Sequence, residues 1–177
     1  VVFAEYVGAT WCGPCMSYSS PSLKQLAYDL PNDFTYVSFL NYNGQYPSDD
    51  SSIGRVNHIM ANSNGYPTTA FADEDPPPAP ASSQYYVSGG GGSDTDGDGY
   101  ADNQFDSQFS NGGNMVNPQN YDIKVTQVTN GNNLDIEIEA EYLGTGTSQV
   151  YVYAAVTEKV CTVSYSDGSY PHYCWVA

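Results

Sequence analysis

A chain of 177 residues is long enough to bury a full hydrophobic core, as one large domain or two small ones. It carries 20 acidic residues against four basic ones, and the resulting net charge of −16 argues against nucleic acid and anionic membrane surfaces as partners. No apolar run approaches the roughly 20 residues of a membrane span.

The first predicted elements are a buried strand over residues 1–7 and a helix over 14–30, with Cys12 and Cys15 at their junction. A helix N-terminus carries free N–H groups and a partial positive charge, and both stabilise a thiolate. At that position the pKa of Cys12 is expected to fall to about 7 or below. Pro14 suits the first helical turn because no donor is needed there. The pattern predicts a redox-active dithiol, in which Cys15 attacks a mixed disulfide formed at Cys12.

Two other interpretations of this cysteine pair stay open. Cys-x-x-Cys is also half of a zinc site, which would here have to recruit Cys161 and Cys174 from roughly 150 residues further along the chain. A purely structural disulfide between Cys12 and Cys15 is the second alternative, although so short a loop gains little entropic stabilisation.

The dithiol segment resembles the active site of thioredoxin, through the sequence Trp11-Cys12-Gly13-Pro14-Cys15. A second stretch resembles the cis-proline loop that opens a strand in thioredoxin-like proteins, namely Gly65-Tyr66-Pro67-Thr68-Thr69-Ala70-Phe71. The resemblance covers residues 1–75 well and 76–115 loosely. It implies that Pro67 is cis and faces both cysteines, and it assigns Trp11, Gly13, Pro14 and Tyr66 to the active-site motif.

The chain departs from the thioredoxin pattern in its first strand and first helix. Thioredoxin has a buried Asp six residues before its first cysteine, where this chain has Tyr6. Glu5 is adjacent but on the opposite face of a regular strand, so it is either a proton-relay carboxylate or a polar residue at a strand end. Pro21 comes one residue later than the helix proline of thioredoxin and is expected to kink the helix.

Three further elements follow in the order expected for a thioredoxin-like core: a strand over 34–40, a helix over 51–60 and a strand over 68–72. An acidic Asp/Gly-rich insertion at about 73–101 then breaks the pattern. A strand at 84–88 and a helix at 102–110, with Phe105 and Phe109 one turn apart, can complete a thioredoxin-like domain over residues 1–115.

The insertion contains an acidic run that matches the first part of an EF-hand calcium loop. Carboxylates stand at positions 1, 3, 5 and 9, with Gly99 at position 6: Asp94, Asp96, Asp98 and Asp102. Tyr100 would add its backbone carbonyl. Phe105 replaces the acid at position 12 and Asp106 follows it, so the run also resembles the shorter loops of dockerin and thrombospondin type-3 repeats. We expect calcium and no organic cofactor, with a solvated acidic linker as the alternative.

Alternating apolar and polar residues after residue 120 predict an antiparallel β-sheet, or half-sandwich, as a second domain over 120–177. Its strands are expected at 121–128, 134–140, 150–156, 161–165 and 172–176. Cys161 and Cys174 flank a hairpin with an Asp167-Gly168 turn, so they are expected to form a disulfide; two reduced thiols in adjacent strands are the alternative. Such a bond favours an extracytoplasmic location, whether secreted, periplasmic or at the cell surface.

A thioredoxin-like domain followed by such strands resembles a family of secreted, outer-membrane-associated thioredoxin-like proteins. The resemblance implies a thiol–disulfide oxidoreductase that acts on protein thiols or disulfides, with Cys12 and Cys15 as the reactive pair and Pro67 docking an extended substrate. The alternative is a structural or adhesive surface protein, in which the core is a scaffold and the β-domain self-associates. The 17 tyrosines keep this alternative open because tyrosine is favoured at interfaces.

Overall fold

The computed structural model describes residues 2–42, 44, 50–61, 63, 65–71, 86–88, 105, 109, 121–145 and 154–175. The chain divides into two compact units, one formed by Val1–Met115 with Ala155–Ala177 and the other by Val116–Ala154. The second unit is therefore inserted in the sequence of the first and ends at Ala154, earlier than the residue 177 expected for the second domain.

Eight strands lie in the described part of the chain: β1 Val2–Ala9, β2 Phe34–Asn41, β3 Thr68–Phe71, β4 Tyr86–Ser88, β5 Tyr121–Asn130, β6 Asn133–Tyr142, β7 Thr157–Val160 and β8 His172–Trp175. The first unit holds a six-stranded mixed sheet in the order β4-β3-β1-β2-β8-β7. β1 and β2 are parallel over their whole length, whereas β3 is antiparallel to β1. The fold is therefore a mixed α/β sheet with β1 near its centre.

Two helices cover the two faces of this sheet, α1 Ser20–Asp29 and α2 Asp50–Ala61. Because side chains alternate along a strand, Tyr6 of β1 packs in one buried cluster with Leu23 of α1. Val7 packs in a second cluster with Val56 and Ile59 of α2. The dithiol belongs to the α1 face.

The first helix differs from the single kinked helix predicted over 14–30. A π-helical turn, Cys15–Ser19, precedes α1, and Pro21 lies in the first turn of α1. Proline offers no N–H, and its ring crowds the carbonyl of the residue four positions earlier, here Ser17. The widened turn before Pro21 accommodates both effects.

The second unit contains a long antiparallel hairpin, with Tyr121 paired to Tyr142 at one end and Asn130 to Asn133 at the other. Gly131 in the turn has a φ of +61°, a left-handed conformation that favours glycine. The two hairpin strands are those predicted at 121–128 and 134–140.

The prediction that five strands after residue 120 form one antiparallel sheet is wrong, because some of these strands belong to the other sheet. β8 pairs with β2 in parallel, with Ser38 opposite Cys174, and β7 pairs with β8, so both strands belong to the first unit. Residues 161–165 form no strand, and neither do 154–156; the remaining residues of the strand predicted at 150–156 lie outside the described part. Alternation predicts a strand but does not identify its neighbour, and this caused the error.

Phe105 and Phe109 are both helical and both contact the core of the first unit. The Phe105 ring lies 6.1 Å from that of Phe71, and Phe109 meets Phe34 edge to face at 6.1 Å. These two side chains therefore pack on the α1 face of the sheet. None of the helices in the described ranges has the length and apolar character that a membrane-crossing helix needs.

Candidate active site

Cys12 and Cys15 lie where β1 ends and the helical segment begins. They form a disulfide with their Cα atoms 5.2 Å apart. The Cys12 N–H donates to the Ala9 carbonyl at 3.0 Å, and the Met16 N–H donates to the Cys12 carbonyl at 3.2 Å. A tight turn thus carries the chain directly from the strand into the π-helical turn.

The two sulfurs have unequal surroundings. Cys12 is 9% exposed and Cys15 is 0% exposed. The Cys15 N–H donates to Cys12 Sγ at 3.1 Å. A hydrogen bond of this kind strengthens when its acceptor is charged, so it stabilises a Cys12 thiolate in the reduced protein. The Cys12 sulfur is therefore the one accessible to another molecule, and the buried Cys15 sulfur can react only with Cys12 or a group bound to it.

The other residues of the dithiol motif form an open rim. Trp11 is 52% exposed, and Gly13 and Pro14 are exposed as well. Pro14 has helical angles, φ −60° and ψ −28°, as a proline at a helix start should. The rim leaves room for a protein chain to approach Cys12.

The second predicted site segment lies at the same end of the sheet. The Tyr66–Pro67 peptide bond is cis. Thr68 pairs with Val7 of β1, so Pro67 comes beside the last residues of β1, just before the dithiol turn. The Asn41 side-chain N–H donates to Tyr66 Oη at 3.1 Å, which joins the end of β2 to this loop.

Thr10 in the dithiol turn is held through both of its backbone polar groups. Its N–H donates to the Asn41 carbonyl at 3.1 Å, and its carbonyl accepts the Ser166 N–H at 2.9 Å. Asn41 closes β2, whereas Ser166 comes from the segment between Cys161 and Cys174. Two distant parts of the chain therefore fix the residue that precedes Trp11.

We call residues 161–174 the stapled segment. The disulfide between Cys161 and Cys174 closes it, with a Cα–Cα distance of 5.4 Å, and the Cys161 N–H donates to the Pro171 carbonyl. Within it, the N–H and hydroxyl of Ser169 both donate to Asp167 Oδ1, at 2.8 and 2.6 Å. The hydroxyl donor and then the backbone donor hold the pKa of Asp167 below its usual value. This self-contained turn orients Tyr165 and Ser166.

Tyr6 is fully buried, and its phenol oxygen lies 3.1 Å from that of Tyr165. Burial, followed by the neighbouring Tyr165, raises the pKa of Tyr6 well above its usual value. Burial also raises the pKa of Tyr165, against the opposing effect of hydrogen bonds with Tyr6 and Ser20. A pair of neutral phenols therefore occupies the core on the α1 face.

Glu5 faces the other side of the sheet, away from α1. Arg55 of α2 donates to it through two nitrogens: Nε meets Glu5 Oε1 at 2.7 Å, and Nη2 meets Oε2. The geometry is that of a bidentate ion pair. Between the two interpretations of Glu5, this pairing favours a structural role.

All four cysteines of the chain are bonded in pairs, so the sulfurs are joined differently from a four-cysteine zinc site. Within the described residues, no group of three or more His, Cys, Asp or Glu side chains is placed to hold a metal ion. The predicted calcium ligands lie outside the described residues: Asp94, Asp96, Asp98, Tyr100, Asp102 and Asp106.

Sequence reasoning missed Asn41, Tyr165 and Ser166 as neighbours of the dithiol. These residues contact the dithiol region through backbone groups or through side chains that are distant in sequence. Contacts of these two kinds leave no local sequence motif. Arg55 had a usable signal, because it is the only arginine and Glu5 is an acidic residue within a predicted buried strand. Comparisons with protein-family models, with curated proteins and with solved structures found no match for this chain.

Proposed function

We propose that this chain is a thioredoxin-like thiol–disulfide oxidoreductase that acts on protein substrates through Cys12 and Cys15. The observation that carries the proposal is the asymmetry of the pair at the helix start. Cys12 is the more exposed sulfur and accepts the Cys15 N–H at 3.1 Å, whereas Cys15 is fully buried. A nucleophilic thiol must be accessible to the substrate, whereas the resolving thiol must be close to the nucleophile and can be buried.

In the reducing direction, the Cys12 thiolate attacks one sulfur of a substrate disulfide. A Cys12–substrate disulfide forms and the other substrate sulfur leaves as a thiolate. The Cys15 thiolate then attacks the Cys12 sulfur, which forms the Cys12–Cys15 disulfide and releases the second substrate thiolate. Two electrons pass from the dithiol to the substrate, and the reverse sequence oxidises a substrate dithiol.

The substrate would bind as an extended chain beside Pro67, at the sheet end shared with the dithiol. The exposed Trp11 side chain, adjacent to Cys12 in the chain, offers further apolar contact area. An extracytoplasmic location fits the second disulfide, Cys161–Cys174, because such bonds persist in oxidising compartments. We also propose that calcium binds the acidic run at 94–106 and stabilises the insertion.

Thiol alkylation of the reduced protein as a function of pH tests the proposal. Cys12 should react first, with an apparent pKa below the value of about 8.5 for free cysteine. Cys12→Ser should abolish reduction of insulin disulfides, and its matched partner Cys15→Ser should accumulate mixed disulfides. Faster alkylation of Cys15, or mixed disulfides that accumulate to the same extent in both variants, would refute the proposed roles.

A second candidate function, a structural surface protein, is favoured by one observation on the hairpin. Ile123, Val125 and Ile136 lie on one face of β5 and β6 and are substantially exposed. Such a face suits self-association. If Ile136→Lys changes the sedimentation behaviour and leaves dithiol activity intact, the hairpin carries a separate assembly role. A monomeric wild type at high concentration would remove this candidate.

A further inference from the structure

The stapled segment contacts the dithiol segment on both sides of the cysteine pair. Ahead of the pair, the Ser166 N–H donates to the Thr10 carbonyl at 2.9 Å. Behind it, the Ser166 hydroxyl donates to Met16 Sδ at 3.5 Å. One residue of a distant segment therefore meets the residue two positions before Cys12 and the residue directly after Cys15.

Three features allow the stapled segment to hold this position firmly. The Cys161–Cys174 disulfide closes its ends. The turn around Asp167 is fixed by Ser169, and the Tyr165 N–H donates to the Ser169 carbonyl at 2.8 Å. The Tyr165 side chain is buried and shares a hydrogen bond with Tyr6 of β1. Ser166 itself is exposed, so its anchorage comes from its neighbours.

We propose that Ser166 is a positioning residue of the dithiol, and that its backbone N–H holds the turn in which the Cys15 N–H reaches the Cys12 sulfur. The inference rests on the proposed function. It extends that function to a specific role for the C-terminal segment: the Cys161–Cys174 staple supports the reactivity of the Cys12–Cys15 pair.

The mechanism follows from the hydrogen bonds of Thr10. With both backbone groups bonded, the turn from Ala9 to Cys12 has one conformation, and the Cys12 sulfur is held beneath the Cys15 N–H. Without the Ser166 donor, the Thr10 carbonyl is released and the turn samples other conformations. The Cys12 thiolate then accepts the Cys15 N–H for a smaller fraction of the time. The pKa of the Cys12 thiol in the reduced protein therefore rises.

The experiment compares Ser166→Pro with Ser166→Ala. Proline removes the N–H, whereas alanine keeps it and removes only the hydroxyl contact with Met16. Both proteins are reduced at Cys12–Cys15 with limiting dithiothreitol, and Cys12 alkylation is followed by peptide mapping across pH. We expect Ser166→Pro to raise the apparent pKa of Cys12 by about one unit, the effect of losing one hydrogen bond, and so to lower its thiolate fraction about tenfold at pH values well below that pKa. Ser166→Ala should stay within about twofold of the wild type.

A second variant keeps the inference testable if Ser166→Pro does not fold. Tyr165→Phe removes the bond that anchors the segment to Tyr6 but leaves every backbone group in place. It should slow Cys12 alkylation roughly threefold and shift the equilibrium of the dithiol with glutathione in the same sense. Tyr170→Phe, at an exposed tyrosine of the same segment, is the matched control.

The outcomes separate this inference from the proposed function. If wild-type Cys12 shows no preferential reactivity and reduces no disulfide, the proposed function fails. If the wild type is active and a folded Ser166→Pro protein has a wild-type pH profile, only the positioning role fails. If Ser166→Pro does not fold, an unchanged pH profile of Cys12 alkylation in Tyr165→Phe rejects the positioning role. If Ser166→Pro and Ser166→Ala change the pH profile equally, the role belongs to the Ser166 hydroxyl and not to its backbone N–H.

Discussion

The phenol oxygens of Tyr6 and Tyr165 lie 3.1 Å apart in the core, although 159 positions separate the two residues in the chain. Tyr6 belongs to β1, the strand that leads into the dithiol. Tyr165 belongs to the stapled segment, and the N–H of its neighbour Ser166 donates to the Thr10 carbonyl in the dithiol turn. The hydrogen bond therefore links the strand that leads into the dithiol turn to the segment that contacts this turn.

Removing either phenol hydroxyl should destabilise the fold, because the other is left buried without its partner. We expect each single variant to lose about 1–3 kcal/mol in the free energy of unfolding. The double variant should cost less than the sum. Urea unfolding of the four proteins measures the coupling; strict additivity would contradict a direct bond.

High pH should destabilise the protein through its buried tyrosines. Burial raises the pKa values of Tyr6, Tyr36 and Tyr165 in the folded state above the value of about 10 in the unfolded chain. The unfolded state therefore binds fewer protons above pH 10, so stability is present below about pH 10 and is lost as the pH rises further. Each such tyrosine contributes about 1.4 kcal/mol per pH unit in that range.

Tyr36→Phe isolates one of these contributions. The Tyr36 hydroxyl has no hydrogen-bond partner among the described residues, so removing it should leave stability at neutral pH unchanged or raised by up to about 1 kcal/mol. Above pH 10, the free energy of unfolding should fall less steeply with pH, because one tyrosine fewer contributes to its pH dependence. Unfolding curves at neutral and alkaline pH provide both values, and an unchanged alkaline slope would show that Tyr36 titrates normally in the folded protein.

Gly8→Ala should displace the Tyr6 phenol. A Cβ atom at residue 8 would come within 2.5 Å of Tyr6 Oη, and Tyr6 has no room to move because it is fully buried. We expect a loss of about 1–3 kcal/mol, typical of overpacking in a core. Gly54→Ala is the matched control, since nothing lies within 4 Å of its Cβ position in α2, and it should stabilise the helix by about 0.5–1 kcal/mol. Thermal unfolding distinguishes the opposite signs.

Glu5→Gln tests whether the carboxylate next to Tyr6 supports the fold or the redox chemistry. Arg55 would lose a bidentate partner in a largely buried setting, so stability should fall by about 1–3 kcal/mol. Lys124→Met, at the exposed pair with Glu139, should cost no more than about 0.5 kcal/mol. The rate of Cys12 alkylation in the Glu5 variant should match the wild type, because Glu5 lies on the α2 face. A large change in that rate would make Glu5 a proton relay.

Local patterns predicted most elements of the first unit because each carries its own signal. An apolar run predicted the strand around Tyr6, and alternation predicted the strand around Tyr36. The junction of strand and helix at Cys12 followed from the dithiol and Pro14 together. The hairpin of β5 and β6 was equally readable, since its two strands and its turn are contiguous.

Pairing between distant strands could not be predicted in the same way. β8 lies beside β2 through Ser38 and Cys174, and nothing in either sequence records which edge the strand joins. The role of Ser166 was hidden for a related reason, because a backbone N–H is present at every residue except proline. Only the folded chain shows which of these donors meets Thr10.

The acidic run should bind calcium and stabilise the first unit through Phe105. Asp94, Asp96, Asp98 and Asp102 repel one another when ordered together, and a hard divalent cation neutralises them with oxygen ligands at about 2.3–2.6 Å. Phe105 lies within the stretch that would bind calcium and is fully buried against Phe71, so we expect calcium binding to be coupled to the stability of the core. Because calcium would bind the folded state, its removal should lower the melting temperature.

Calorimetry with millimolar calcium and with a chelator measures this effect. At a concentration one hundred times the dissociation constant, binding adds about 2.7 kcal/mol to the free energy of unfolding. Asp96→Ala with Asp98→Ala should abolish the calcium dependence. Asp122→Ala with Asp135→Ala, at two exposed positions of the hairpin, removes the same number of charges and should preserve it. Magnesium in place of calcium tests the ion, since it demands stricter geometry and keeps its waters. Identical melting curves with calcium and with chelator would leave the run as a solvated acidic linker, the alternative raised by its sequence.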